Sequence, residues 1–158
     1  MHKNLRVVDT SAWIEWLSRT ELGKRLHSDF PVPDCCLVPA LVQYELAAWA
    51  HRELGQSERE RVIAFTENCR FAQLTRETTL AAAALRLDRR LPTADRLIYA
   101  TARKLGVDVL TCDAHFEGLP QVVFHRKIAP ATASVSEPRA GYIRGRVPMA
   151  AHSSSSLM

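Results

Sequence analysis

The sequence lacks the long apolar runs that membrane insertion requires, since no uncharged apolar stretch approaches roughly 18 residues. A secretion signal is not expected either, because Asp9 interrupts the short apolar run near the N-terminus. The four cysteines include no C-x-x-C pair, and no set of histidines and cysteines has the spacing of a zinc site. We therefore expect reduced, buried cysteines, and we predict a cytoplasmic protein that does not associate with membranes.

The chain has 158 residues, 47% of them hydrophobic, which suffices for one domain with a core but not for two. Beyond residue 128 the composition shifts to Ala, Pro, Ser, Gly and Arg. We therefore predict one domain over residues 1–128 and a disordered or loosely attached tail over residues 129–158. The first segment holds 18 Lys and Arg against 16 Asp and Glu. If several of these acids share a cleft, the remaining surface is basic enough to suit a polyanionic partner.

Short apolar runs alternate with segments of helical periodicity along the first segment. Strands are predicted at residues 5–8, 35–38, 71–74, 107–112 and 122–125. Helices are predicted at residues 11–19, 21–27, 40–54, 57–67, 77–91 and 93–105, with Ser57 and Glu60 as a capping box and Thr93 as an N-cap. This alternation predicts an α/β fold in which helices cover both faces of a central, mainly parallel sheet.

Two acidic residues directly follow predicted strands. Asp9 ends the first apolar run, and Asp113 ends the run over residues 107–112. Because the carboxyl ends of parallel strands meet at one edge of a sheet, where ligand and catalytic groups gather, both side chains are site candidates. Taken alone, each could instead cap the helix that follows it.

Two further acids lie on the inward stripes of predicted helices. Glu45 has apolar neighbours three and four positions away on both sides, and Asp95 aligns with Ile98 on the core-facing side. Glu45 could be neutralised by Arg52, and Asp95 could simply complement the helix dipole. An ionised carboxylate on an apolar stripe is costly without a partner, so both residues join the candidate site.

These four carboxylates together favour a metal site. Clustered carboxylates repel one another unless a cation is present, and oxygen ligands suit Mg²⁺ or Mn²⁺. Such an ion can activate water and neutralise charge on a phosphate. The pattern therefore favours metal-dependent cleavage of phosphodiester bonds.

Four stretches of the sequence, residues 7–12, 44–46, 94–102 and 110–116, carry a family resemblance. In order and spacing they resemble PIN-domain ribonucleases, specifically VapC-like toxins of toxin–antitoxin pairs. The resemblance implies a PIN-like three-layer α/β/α fold with Asp9, Glu45, Asp95 and Asp113 in the catalytic site and metal bound by Asp9, Asp95 and Asp113. It also implies that Ser11 orients the metal shell or substrate, that Thr111 supports the site, and that His115 contacts phosphate.

The same resemblance implies an Mg²⁺-dependent endoribonuclease, with Mn²⁺ as a substitute, that dimerises and is inhibited by a VapB-like antitoxin. The family usually has small or apolar residues at the positions of Arg96 and Tyr99. An open alternative is a catalytically inactive PIN-fold module that binds RNA or protein. A phosphatase-like hydrolase with Asp9 as nucleophile is disfavoured, because Ser11 stands where a second aspartate is expected. Candidate RNA-tracking cations are Arg19, Lys24, Arg25, Arg89, Arg90 and Arg96.

Overall fold

A computed structural model describes residues 5–87 and 91–127, and its centre is a parallel sheet of five strands. The strands are β1 Arg6–Val8, β2 Cys36–Pro39, β3 Arg70–Ala72, β4 Asp108–Thr111 and β5 Val122–Phe124. Their order is β3-β2-β1-β4-β5, and every neighbouring pair is parallel. The predicted parallel sheet is therefore confirmed. The predicted tail over residues 129–158 lies outside the described residues.

Six α-helices connect these strands within the described ranges: α1 Thr10–Leu17, α2 Glu21–Leu26, α3 Ala40–Glu53, α4 Gln56–Glu67, α5 Arg76–Ala84 and α6 Thr93–Leu105. The chain steps outward from β1 to β3 and then crosses back to place β4 on the other side of β1. Connections between parallel strands are right-handed as a rule, so this reversal puts helices on both faces and yields the α/β/α arrangement. None of the described helices is long and apolar enough to cross a membrane.

An aromatic cluster fixes α1 against the core. Trp13 is fully buried, and its ring meets those of Trp16, Phe30 and Phe65 edge-on at centroid distances of 6.0, 4.9 and 5.9 Å. Such pairs add roughly 0.5–1.5 kcal/mol each beyond the burial of their area. The cluster therefore holds the helix that begins directly after Asp9.

Two predicted helix caps and one predicted helix end differ substantially from the structure. The α4 helix begins at Gln56 with Gly55 as N-cap, whose N–H donates to the Glu58 carboxylate at 3.4 Å, so the capping box predicted at Ser57 and Glu60 is wrong. The N-cap of α6 is Pro92, and Thr93 is the first residue of the helix, so the predicted N-cap role of Thr93 is wrong.

The third difference is the end of α5, which was predicted at Leu91 and lies at Ala84. The next residue, Leu85, leaves the helical backbone conformation at φ −58° and ψ 120°. Its carbonyl accepts a hydrogen bond of 2.8 Å from Arg96 Nη1. A contact between two helices therefore ends α5, and no local sequence signal marks it.

Gly23 provides a test of how closely α2 packs on α1. A Cβ on residue 23 would lie 2.1 Å from the carbonyl oxygen of Glu15, a backbone atom that cannot swing away. We expect Gly23→Ala to lower the free energy of unfolding by about 2–3 kcal/mol through overpacking, although alanine is the better helix former. Chemical denaturation measures this quantity.

The matched control is Gly55→Ala, whose Cβ meets only Glu58 Oε2 at 3.6 Å. We expect it to cost about 0.5 kcal/mol, the typical penalty for losing a favourable N-cap residue. Equal stability of Gly23→Ala and the unmodified protein would contradict the close approach of the two helices.

Candidate active site at the carboxyl edge of the sheet

The pairing of β1 with β4 brings two of the predicted acids to one place. Val8 pairs with Leu110, and the backbone N–H of Asp9 donates to the Leu110 carbonyl at 2.9 Å. The chain leaves β1 towards β2, while β4 lies on the opposite side of β1, so this point is a topological switch. Open parallel sheets bind ligands in the crevice at such a point. Asp9 and Asp113 stand there, each just after its strand.

Asp9 is almost completely buried, with 4% exposure. Its Oδ2 accepts hydrogen bonds from Ser11 N–H at 3.2 Å, Ser11 Oγ at 2.5 Å and Thr111 Oγ1 at 2.9 Å. The helix-cap interpretation is thus correct, since Asp9 is the N-cap of α1. Burial raises the pKa of Asp9, the hydrogen bonds partly offset that rise, and the charge of Asp113 adds to it. Among the described residues, these three hydrogen bonds all go to Oδ2 and none goes to Oδ1.

Two hydroxyl groups connect Asp9 to the end of β4. Thr111, which is fully buried, also accepts a hydrogen bond from Asp113 N–H at 3.0 Å. Ser11 Oγ accepts one from Cys112 N–H at 2.9 Å and lies 3.1 Å from Thr111 Oγ1. Thr111 therefore links Asp9 to the backbone of Asp113, and its supporting role in a functional site stays a prediction. The Ser11 hydroxyl orients Asp9, whereas a contact of Ser11 with metal or substrate stays a prediction.

Among the residues that the structure describes, Asp95, Asp113 and His115 each bring one potential ligand atom within 4.8 Å of the others. His115 Nδ1 lies 3.1 Å from Asp95 Oδ2 and 3.1 Å from Asp113 Oδ1. Asp95 belongs to the first turn of α6, as expected. Burial and the charges of Asp113 and Asp9 raise the pKa of Asp95 to about 6, and His115 opposes that rise.

Glu45 lies apart from this group. It is half-buried on α3, and its carboxylate accepts a hydrogen bond from the hydroxyl of Thr10, the residue that follows Asp9. Arg52 is exposed and forms no ion pair with Glu45 among the residues that the structure describes, so the alternative partner is not supported. Sequence reasoning missed Thr10, although its position beside the first acid was an available signal.

Two basic residues that sequence reasoning missed line an open cleft beside the acids. Arg126 and Lys127 share this cleft with Ser11 and Asp113. Arg126 pairs with Glu117, and Lys127 Nζ lies 3.2 Å from Glu15 Oε1. Both follow β5 in irregular chain, where no periodicity marks a site.

The basic residues predicted to bind along the RNA do not all lie together in the structure. Arg19 and Lys24 are exposed and line a second cleft with Trp16 and His27. Arg96 Nη1 is engaged by the carbonyls of Ala82 and Leu85, so it has a structural role. Arg25 is exposed, while Arg89 and Arg90 lie outside the described residues.

The donor set fits a divalent cation. Asp95 Oδ2 and Asp113 Oδ1 both lie 3.1 Å from His115 Nδ1, which places two hard oxygen donors together, while Asp9 as a third ligand stays a prediction. Mg²⁺ and Mn²⁺ prefer such oxygen ligands. Burial raises the pKa of Asp95 most, and repulsion by Asp113 and Asp9 adds to that rise; a bound cation would relieve this repulsion.

The raised pKa of Asp95 makes a stability prediction for metal-free protein. In the folded state the pKa of Asp95 is about 6, so the carboxyl group keeps its proton up to about that pH, whereas its ordinary pKa is 3.8. The folded state therefore binds this proton more tightly than the unfolded state does, and the resulting stabilisation is full below about pH 4 and lost as the pH rises through about 6. We expect Asp95→Asn to be more stable than the unmodified protein at pH 7.5, by on the order of 1 kcal/mol, and not at pH 4.

Urea denaturation in the presence of EDTA measures this difference. The control is Asp34→Asn, because Asp34 is exposed in a turn at the amino end of β2, away from the acids. An Asp95→Asn variant whose stability relative to the unmodified protein is the same at both pH values would contradict the raised pKa.

Solved structures of toxin–antitoxin proteins share this fold. A chain of a toxin–antitoxin complex from Klebsiella pneumoniae superposes with a TM-score of 0.64 at 20% identity, over 75% of this chain and 95% of that one. VapC20 of Mycobacterium tuberculosis, a toxin that cleaves the sarcin-ricin loop, gives 0.59 at 23% identity, covering 74% and 96%. DNA-bound VapBC from Salmonella typhimurium gives 0.60 at 15% identity, covering 78% and 98%.

A comparison with curated protein sequences found no significant match. The sequence profile of the PIN domain, in contrast, matches residues 6–121. This match spans most of the chain and includes all four predicted acids and the whole switch point between β1 and β4. The chain therefore belongs to the PIN domain family.

Proposed function

We propose that this protein is a metal-dependent endoribonuclease and the toxin of a toxin–antitoxin pair. One observation carries the proposal: Asp95 and Asp113 both lie 3.1 Å from His115 Nδ1, while burial and the charges of Asp113 and Asp9 raise the pKa of Asp95. Such an arrangement is unfavourable for a merely structural cluster, but it suits a group of ligands that awaits a cation.

In this proposal, Asp9, Asp95 and Asp113 hold Mg²⁺ or Mn²⁺. A bound divalent ion activates a water molecule and neutralises charge on the phosphate. Ser11 and Thr111 hold Asp9 Oδ2 through three hydrogen bonds, which orients the carboxylate before substrate arrives. Preorganised ligands of this kind need no rearrangement at the moment of reaction.

Glu45 is proposed as the base that accepts a proton from the attacking water. Its carboxylate is held by Thr10, next to Asp9 in the chain, and not by the compact group of Asp95, Asp113 and His115. The hydrogen bond from Thr10 holds the Glu45 carboxylate near the chain position of Asp9, and we propose that this carboxylate accepts a proton there and does not bind the metal.

RNA is the proposed substrate, bound along the cleft of Arg126 and Lys127 beside Asp113. The side chains of both cations are more than half exposed, so each cation can exchange its carboxylate partner for a phosphate. The sarcin-ricin-loop cleavage stated for VapC20 supports an RNA substrate for this chain.

An antitoxin and a second copy of the chain are the proposed protein partners. The structures that share the fold include a toxin–antitoxin complex from Klebsiella pneumoniae and a member of the VapBC family of toxin–antitoxin systems from Mycobacterium tuberculosis. Several large apolar side chains are also exposed, and these can be covered by such partners: Val32, Tyr44, Phe71, Leu74, Leu80 and Leu105.

The nuclease activity can be tested with antitoxin-free protein and a mixture of single-stranded and hairpin RNAs. We expect cleavage with Mg²⁺ or Mn²⁺ that EDTA abolishes. Asp95→Asn and Asp113→Asn should each lower the rate by about 100-fold or more, because a ligand is lost. Asp34→Asn, outside the site, should retain the full rate.

Cleavage that persists in both ligand variants would contradict the assignment and point to a contaminating nuclease. RNA binding without cleavage, unaffected by either variant, would instead identify a PIN-fold binding module.

The role of Glu45 can be tested separately by Glu45→Gln, which keeps the size of the side chain. Loss of a general base should lower the cleavage rate by about 100-fold or more. Mn²⁺ affinity, measured by calorimetry, should change less than about threefold. Glu53→Gln at the exposed end of α3 is the control. A parallel loss of metal affinity would make Glu45 a ligand.

A further inference from the structure

We infer that His115 is a ligand of the metal ion, so that the site combines carboxylate oxygens with one imidazole nitrogen and prefers Mn²⁺ to Mg²⁺ more strongly than an all-carboxylate site does. This inference rests on the proposed function, because it concerns the same ion. The observation that carries it is the position of His115 Nδ1, which is equidistant from Asp95 Oδ2 and Asp113 Oδ1.

The backbone places His115 at this point. The residue lies in a 3₁₀ turn, Ala114–Phe116, whose first N–H groups are capped by the Asp113 side chain through a 2.9 Å hydrogen bond from His115 N–H. Phe116 at the end of the turn is fully buried and meets the Tyr99 ring edge-on at 6.4 Å. The turn is therefore anchored on both sides of His115. Because the turn is already ordered, little conformational entropy is lost in holding the His115 imidazole beside Asp95 and Asp113.

The distances match a coordination polyhedron. Ligands about 2.1 Å from an octahedral ion lie about 3 Å apart when they are adjacent. His115 Nδ1 is 3.1 Å from each of the two carboxylate oxygens. The three atoms lie within 4.8 Å of one another, so one nitrogen and two oxygens can form part of one coordination shell.

The chemistry of imidazole sets the expected metal preference. Imidazole nitrogen binds transition-metal ions better than Mg²⁺, which strongly favours oxygen ligands and retains several waters. An all-carboxylate site discriminates less between Mg²⁺ and Mn²⁺. Replacing His115 should therefore weaken Mn²⁺ binding far more than Mg²⁺ binding.

Two other roles of His115 would not involve a bond between its nitrogen and the metal ion. A histidine that contacts phosphate, as the family resemblance suggests, needs no bond to the ion. A histidinium that only neutralises Asp95 and Asp113 must leave when a cation arrives, because the two positive charges repel. Only a ligand remains bonded to the metal through nitrogen.

Pulsed electron paramagnetic resonance of bound Mn²⁺ tests this directly, because a coordinated imidazole nitrogen couples to the electron spin. The sample is the full chain, free of antitoxin and without RNA. We expect a nitrogen coupling that changes on labelling with ¹⁵N-histidine and disappears in His115→Gln. Mn²⁺ affinity should fall about tenfold in that variant, while Mg²⁺ affinity, measured by competition, should change less than about threefold.

The matched control is His51→Gln, because His51 is exposed in the last turn of α3 and should leave the coupling and both affinities unchanged. Mn²⁺ binding that depends on Asp95 and Asp113 but shows no histidine coupling would overturn the inference and leave the proposed nuclease site intact. A coupling that survives in His115→Gln would overturn it as well. Absence of carboxylate-dependent Mn²⁺ binding would overturn both the inference and the proposed function.

Discussion

The parallel pairing of β1 with β4 is the constraint on which the site depends. These strands are distant in sequence, yet their register sets Val8 opposite Leu110 and so brings Asp9 and Asp113 to the same edge. The sheet order changes direction at this pair, which opens the crevice that α6 approaches with Asp95. A slip of one residue in this register would turn the side chains of β4 to the opposite face and dismantle the cluster.

Keeping the carboxylates of Asp9, Asp95 and Asp113 close together is electrostatically unfavourable, and contacts elsewhere in the domain offset this. The pKa of Asp9 and that of Asp95 are both raised, chiefly by burial and further by neighbouring carboxylates. The hydrogen bonds from Ser11 and Thr111 and the rigid aromatic packing around Trp13 keep Asp9 in place despite this cost. Strained or unfavourable electrostatics that the surroundings enforce are typical of functional sites, where ligand binding relieves them.

Most of the fold could be predicted, and the four acids could be named as candidates, because each has a local cue. Apolar runs mark the strands, and Asp9 and Asp113 directly follow two of them. Features that depend on contacts between distant elements were predicted wrongly or missed. The end of α5 depends on Arg96 of another helix. The cleft position of Arg126 and Lys127 depends on β5 lying beside β4, which no periodicity reveals.

The sequence by itself determined the alternation of strands and helices, the parallel sheet and the identity of the acids, because hydrophobic periodicity and helix-terminal chemistry act within a few residues. The tertiary structure alone decided how these acids are grouped. Asp95 and Asp113 both lie close to His115. Asp9 accepts hydrogen bonds from the hydroxyls of Ser11 and Thr111, and Glu45 accepts one from the hydroxyl of Thr10. Distances of a few ångströms between residues far apart in the chain are set by strand register and helix packing, and these arise only when the whole core is assembled.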